Sequence, residues 1–131
     1  MYQKVIIIGN LGGDPQMRYT PAGVPVTSFS VATNRKWKDA DGQQQEETIW
    51  WRVSAWRNLA ETCAQYLAKG RTVLVEGHME PDPATGGPRI WQKDGAPRAS
   101  YEITALTVKF LGGRGEPEAS PRQLTDEELP F

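Results

Sequence analysis

The chain has 131 residues, with 15 Lys and Arg against 16 Asp and Glu for a net charge of −1, and it carries one cysteine and one histidine. That length holds one domain with a proper core plus a short tail. Cys63 has no partner for an internal disulfide, and with His78 alone beside it the chain offers neither a zinc cluster nor a Cys/His or Ser/His/Asp catalytic set, so no metal, cofactor or enzymatic activity is expected.

No apolar run approaches the roughly 18 residues of a membrane helix, and no charged-then-apolar leader opens the chain. The expectation is a protein of a reducing cytoplasm with no membrane partner. The near-neutral charge is uneven: residues 1–111 carry 13 Lys and Arg against 11 Asp and Glu, a surplus of +2, and residues 112–131 carry 2 against 5, a deficit of −3. A mildly basic body thus bears an acidic end, although binding to an anion depends on local clustering rather than totals.

In chain order, residues 4–11, Lys-Val-Ile-Ile-Ile-Gly-Asn-Leu, form a continuous apolar strand without alternation. Such a strand is expected to be buried on both faces, one of them against a second subunit. Gly12-Gly13-Asp14-Pro15 ends it and Thr20-Pro21-Ala22-Gly23 is a second turn, with the short segment Met17-Arg18-Tyr19 between them. Residues 26–37 are the next strand, with Phe29, Val31 and Thr33 on one face. Strict parity would place Arg35 and Trp37 on that same core face, so the strand must either run past the end of the core or contain a bulge.

Residues 38–47 are a polar loop centred on Asp41-Gly42, a hairpin signal leading into the third strand. That strand reads Thr-Ile-Trp-Trp-Arg-Val-Ser-Ala-Trp-Arg over residues 48–57, with three of the five tryptophans. Alternation points Trp50, Arg52, Ser54 and Trp56 one way and Ile49, Trp51, Val53 and Ala55 the other. The second set suits a core. The first, two large aromatics bracketing an arginine and a serine, suits a flat anionic ligand such as single-stranded nucleic acid, whose bases stack on aromatic rings at roughly 1–3 kcal/mol each. The alternative is that Trp50 and Trp56 are themselves core residues.

A helix over residues 58–69 follows, with Asn58 as N-cap, Leu59, Cys63, Tyr66 and Leu67 at helical spacing, and Gly70 as the stop. Cys63 reads as a small packing residue of this helix. The fourth strand spans residues 72–79, a long Pro- and Gly-rich loop with Arg89, Trp91, Lys93 and Arg98 covers 80–98, and the last strand spans 101–111. Three strands, one helix and two strands, with a hairpin between the second and third strands, is the connectivity of an all-β, five-stranded OB-fold Greek-key barrel, which binds oligonucleotides on its second and third strands. Residues 112–125 lack the apolar content to fold and read as a short flexible linker in a disordered acidic tail. The tail ends in Asp126, Glu127, Glu128, Leu129, Pro130 and Phe131, an acidic peptide with an apolar tip suited to a basic, apolar pocket on another protein.

Taken together, these stretches resemble the bacterial single-stranded DNA-binding proteins. The resemblance rests on Val-Ile-Ile-Ile-Gly-Asn-Leu-Gly-Gly-Asp-Pro at 5–15, Arg18-Tyr19, Phe29-Ser-Val-Ala-Thr33, Trp37, Thr48-Ile-Trp-Trp-Arg-Val53, Leu59-Ala60, Tyr66-Leu-Ala-Lys-Gly70, Val75-Glu-Gly77 and the acidic tip. It implies an OB-fold domain over 1–111 that coats single-stranded DNA without strong sequence preference, assembles as a homotetramer, and uses residues 126–131 to recruit replication, recombination and repair proteins. By position it makes Trp37, Trp50, Trp56 and Trp91 the stacking platforms and Arg18, Arg52, Arg89 and Lys93 the phosphate contacts, with Lys4, Arg35 and Lys36 next. Trp51, where relatives often have histidine, belongs at a subunit contact or in the core.

The chain departs from that pattern in an extra Pro/Gly-rich piece at 81–88, which leaves the placement of Trp91 open by a few residues. Its linker would also span only about 20 Å as a coil, shorter than in many relatives. Two rival functions are an OB-fold that binds RNA or serves a primosome-type assembly, against which the acidic tip speaks, and a nuclease. Metal-dependent phosphodiester chemistry needs clustered carboxylates, and the acids here lie mainly in loops and the tail, with no pair beside Trp50 and Trp56 on the third strand.

Overall fold

The computed structural model describes residues 1–112; the expected tip, and the expected linker beyond Gly112, lie outside the described residues. Seven strands and one helix follow in the order β1 Val5–Leu11, β2 Gln16–Tyr19, β3 Pro25–Lys38, β4 Gln44–Trp56, α1 Asn58–Tyr66, β5 Thr72–Met79, β6 Arg89–Lys93 and β7 Ala96–Phe110. Five of them close a barrel: β1 pairs with β5, β5 with β7, β7 with β4, β4 with β3, and β3 returns to β1 at Leu11↔Val31 and Asn10↔Ala32. The β4–β7 pairing is parallel and the others antiparallel. This is the all-β barrel that the sequence predicts, with the helix between its third and fourth barrel strands.

Alternation fills the interior as the residues dictate. Phe29 and Val31 of β3, Val53 and Ala55 of β4, Val73 and Val75 of β5, and Ile103 and Ala105 of β7 all turn inward and are buried. The helix closes one end of the barrel through Ala60 and Cys63, and the Thr27 hydroxyl, buried on β3, donates 2.7 Å to the Ala60 carbonyl. Burial pushes the Cys63 thiol up to about 12, in keeping with a packing role.

Several local expectations are corrected. Residues 80–98 are not one loop, because Arg89–Lys93 pairs with Ala96–Ser100 as a hairpin projecting from the barrel. Its turn is Asp94-Gly95, both at positive φ (53° and 79°), the mirror-image two-residue turn that matches strand twist. Met17-Arg18-Tyr19 is likewise a strand, an exposed edge on β3. Asn58 does not cap the helix: it is the first helical residue, after Arg57 at φ 60°, because β4 passes into α1 through this one residue and leaves no room for a capping loop. The helix ends at Tyr66 rather than Lys69, since Leu67 turns extended to enter the core.

On β1, Ile7 and Leu11 are buried in the core, while Ile6 on the outer face, the one expected to meet a second subunit, is 48% exposed in the single chain. β3 takes the first of its two options, running past the barrel end without a bulge. Its register with β4 is unbroken from Val26↔Trp56 to Lys38↔Gln44, and beyond Ala32 it has β4 as its only partner. Among the described residues no helix is long and apolar enough to cross a membrane.

The barrel closes tightly at Gly77, where a Cβ would collide with the Thr104 carbonyl of β7 beside the register shift at Glu76/Gly77. The obstacle is backbone, so a side chain there must push β5 and β7 apart. Gly77→Ala is expected to destabilise the fold by about 1–3 kcal/mol, measured by urea denaturation against the unaltered chain.

Candidate nucleic-acid interface

The outward face of β4 carries Trp50, Arg52, Ser54 and Trp56, as alternation requires. Trp50 is 55% and Trp56 42% exposed, so neither is a core residue. Six residues apart on one strand face, they stand about 20 Å from one another. Between them the sheet presents small hydroxylated side chains: Ser30 lies beside Arg52 and Ser28 beside Ser54 on β3, and Thr104 lies beside Ser54 on β7. Indoles rising from a floor of serine and threonine leave room for flat rings between them.

Two adjoining grooves of about 610 and 520 Å³ run over this floor and share Arg18, Ser28, Arg52, Trp91 and Ser100. Trp50 lines the first and Trp56 the second. Trp91 stands on the β6–β7 hairpin opposite Arg98, lines both, and is 44% exposed. Trp91, left open by a few residues in the sequence comparison, thus stands over both grooves in this fold. Arg18, from the edge strand β2, reaches over the groove to Ser28 Oγ at 3.5 Å.

Six of the eight expected contact residues thus meet at one surface: Trp50, Trp56, Trp91, Arg18, Arg52 and Arg89. Trp37 and Lys93 do not line it. Trp37 sits on the free β3–β4 arm, 37% exposed, with the Arg35 guanidinium 4.4 Å from its ring centroid. Lys93 flanks the turn of the β6–β7 hairpin. Each arm projects from the barrel, so these two extend the surface rather than form its centre. The β3–β4 arm is held by its turn, where Asp39 accepts from the Asp41 and Gln43 amides and from Gln45 Nε2. Those bonds, the Gln43 amide foremost, hold the Asp39 carboxyl below its ordinary range.

Two of the three further cationic candidates are engaged elsewhere. Arg35 pairs with Glu47 at 2.8 Å on the arm, and Lys4 pairs with Glu76 away from the groove, which raises the Lys4 pKa. Trp51 turns inward as expected, donating from Nε1 to Thr33 Oγ1 at 2.9 Å and packing on the core, with Tyr101 at 5.5 Å between ring centroids.

Sequence reasoning missed the acids of this surface, of which Asp14 lines the first groove. Glu80 and Glu102 line the second groove beside Trp56, one just past the end of β5 and the other on β7. Glu102 accepts from Ser100 Oγ at 2.6 Å and lies 3.3 Å from Arg89 Nε. The parallel register of β4 and β7 sets Glu102 beside Arg52, and strand pairing of that kind is invisible in a local pattern. Among the described residues, no three His, Cys, Asp or Glu side chains are grouped to hold a metal ion.

The single-strand binding protein family model matches residues 2–111. The chain belongs to this family. It is 46% identical over 113 residues to a single-stranded DNA-binding protein of Neisseria meningitidis serogroup A, covering 86% of this chain and 62% of the relative. A single-stranded DNA-binding protein of Xanthomonas axonopodis pv. citri is 45% identical, with 86% of this chain and 59% of the relative covered. The chain therefore spans about three fifths of the length of these relatives.

Among solved structures, the fold is similar to a Plasmodium falciparum SSB in complex with ssDNA, with a TM-score of 0.70, 28% identity, and 85% of this chain and 96% of that one covered. It is also similar to a deletion mutant of the single-stranded DNA binding protein from Thermus aquaticus, at TM-score 0.66 and 33% identity over 86% of this chain and 51% of that one. Within this family barrel, the grooved face over β3 and β4 is the feature that gathers the aromatic and cationic side chains.

One contact positions the first tryptophan. A Cβ on Gly12 would come within 2.5 Å of the Trp50 ring and 3.1 Å of Ser30 Oγ, so the bare backbone after β1 is the surface against which the indole lies. Gly12→Ala is expected to push the indole off the groove wall. In amide and indole NMR spectra the Trp50 side-chain resonance should move further than those of Trp56 and Trp91, with melting little changed.

Proposed function

We propose that this chain binds and protects single-stranded DNA without strong sequence preference, as a non-catalytic partner of DNA replication, recombination and repair. The observation that carries the reading is the groove itself: three exposed indoles and three guanidinium groups converge on a hydroxylated floor. Bases stack on indoles whatever their identity, because every base has a π-face, and the guanidinium groups take the phosphates, so affinity is sequence-tolerant and falls with salt. The floor of short side chains offers few directional contacts to base edges, which fits tolerance better than readout. Family membership and the likeness to an SSB complex with ssDNA support the same reading.

The division of labour is that residues 1–111 form the binding domain, residues 112–125 a short linker, and residues 126–131 a tip that docks on partner proteins through its three carboxylates and apolar end. The working unit is a homotetramer of barrels in a bacterial cytoplasm, and the exposed Ile6 on the outer face of β1 is apolar surface of the kind a second subunit would cover.

Titration with oligo(dT) is expected to quench tryptophan fluorescence, with affinity falling as salt rises, while duplex DNA of equal length leaves the emission unchanged. Trp50→Ala should weaken binding by about 1–3 kcal/mol with the fold intact by circular dichroism. An unquenched spectrum at low salt, or equal binding to duplex, would count against the function. A second expectation concerns the tip: its carboxylates compete weakly with phosphates for the groove, so removing residues 126–131 should slightly tighten oligo(dT) binding at low salt, measured in the same titration.

A further inference from the structure

Glu102 is the unexpected member of the groove, a carboxylate whose side chain is only 12% exposed on the face that would take a polyanion. Its Oε2 accepts from Ser100 Oγ at 2.6 Å and faces Arg89 Nε at 3.3 Å, and Arg52 is its register neighbour on β4. One hydroxyl and one guanidinium thus meet a single carboxylate oxygen, with a second guanidinium on the adjoining strand. Arginine and hydroxyl donors converging on one anionic oxygen are also the donors that hold a backbone phosphate. The other two ion pairs among the described residues, Lys4 with Glu76 and Arg35 with Glu47, lie outside both grooves, so only this pair occupies groove space.

We propose that Arg89, Ser100 and Arg52 form a phosphate subsite at the Trp56 end of the groove, and that in the free protein Glu102 fills it as a stand-in for the phosphate. This rests on the single-strand-binding reading and goes beyond it by assigning one backbone phosphate to named donors and naming the group it displaces. The exchange has a definite cost. Arg89 offers little net charge while Glu102 neutralises it, so an entering phosphate trades one ion pair for another and leaves the carboxylate close by. The subsite therefore contributes less affinity than its arginines would give alone. It also keeps the guanidinium aligned when no DNA is present. Arg18, which lines both grooves and enters none of the three ion pairs among the described residues, then takes the strand first.

The test is Glu102→Gln, which keeps the shape and an acceptor for Ser100 but removes the charge. Oligo(dT) binding at low salt should tighten by about three- to tenfold, and the salt slope should steepen by about 0.7, the contribution of one more phosphate neutralised on a single strand. Glu102→Ala should move both in the same direction. Adding Arg89→Gln to Glu102→Gln should abolish the gain. Unchanged or weaker binding by both single variants, with melting equal to the parent, overturns the proposal and makes Glu102 a residue that only positions Arg89. A parent chain that fails to bind oligo(dT) at all overturns the underlying reading instead, and the two failures are distinct because the first requires normal binding by the parent.

Discussion

The pairing of β3 with β4 is the constraint on which the rest of this structure depends. Its register is unbroken from the helix end of the barrel to the tip of the projecting arm. Side chains alternate with period two, so a slip of one residue would carry Trp50, Arg52 and Trp56 into the core and Val53 and Ala55 into water. The core locks the register through Val53 facing Phe29 across the strands. The aromatic face is thereby held in place by the apolar residues on the other side of the same strand. Past Ala32 the barrel no longer supports β3, and the same pairing continues as a free arm that carries Trp37 clear of the core.

The character of the groove follows from what surrounds β4. On one side β3 supplies small serines, and on the other β7 supplies hydroxyls together with Glu102. The tryptophans accordingly stand above their neighbours, and Gly12 leaves space against which Trp50 can lie. The third indole comes from a separate hairpin, turned by Asp94-Gly95, which leans its Trp91 over the sheet. Charge in the groove is mixed rather than uniformly basic. Arg18, Arg52 and Arg89 gather there although the chain's net charge is −1, because a local cluster of charge does not depend on the total.

Much of this was legible in the residues, and the reason is local periodicity. The alternation over residues 48–57 assigned both faces of β4 correctly, and the apolar runs at 4–11 and 72–79 marked strands of the barrel. Tryptophan density with interspersed arginine pointed to the outward face of β4, which the structure shows to be the grooved one. Where reading failed, a non-local partner or an overlooked turn was responsible. Asp94-Gly95 is a hairpin signal that the surrounding prolines and glycines obscured. The helix cap was misplaced because the strand enters the helix directly, through a positive φ at Arg57 that no residue type announces.

The sequence by itself determined the order of the barrel strands and helix, the inward and outward faces of β4, and the identity of the aromatic and cationic side chains, because each follows from spacing along one stretch of chain. Only the tertiary structure decided which of these meet. It gathered Trp91 with Trp50 and Trp56 from strands far apart in sequence, left Trp37 and Lys93 on projecting arms, and put Glu102 between Arg89 and Arg52. The parallel pairing of β4 with β7 and the lean of the β6–β7 hairpin set those neighbours. They are products of barrel closure, a property of the whole chain that no local pattern encodes.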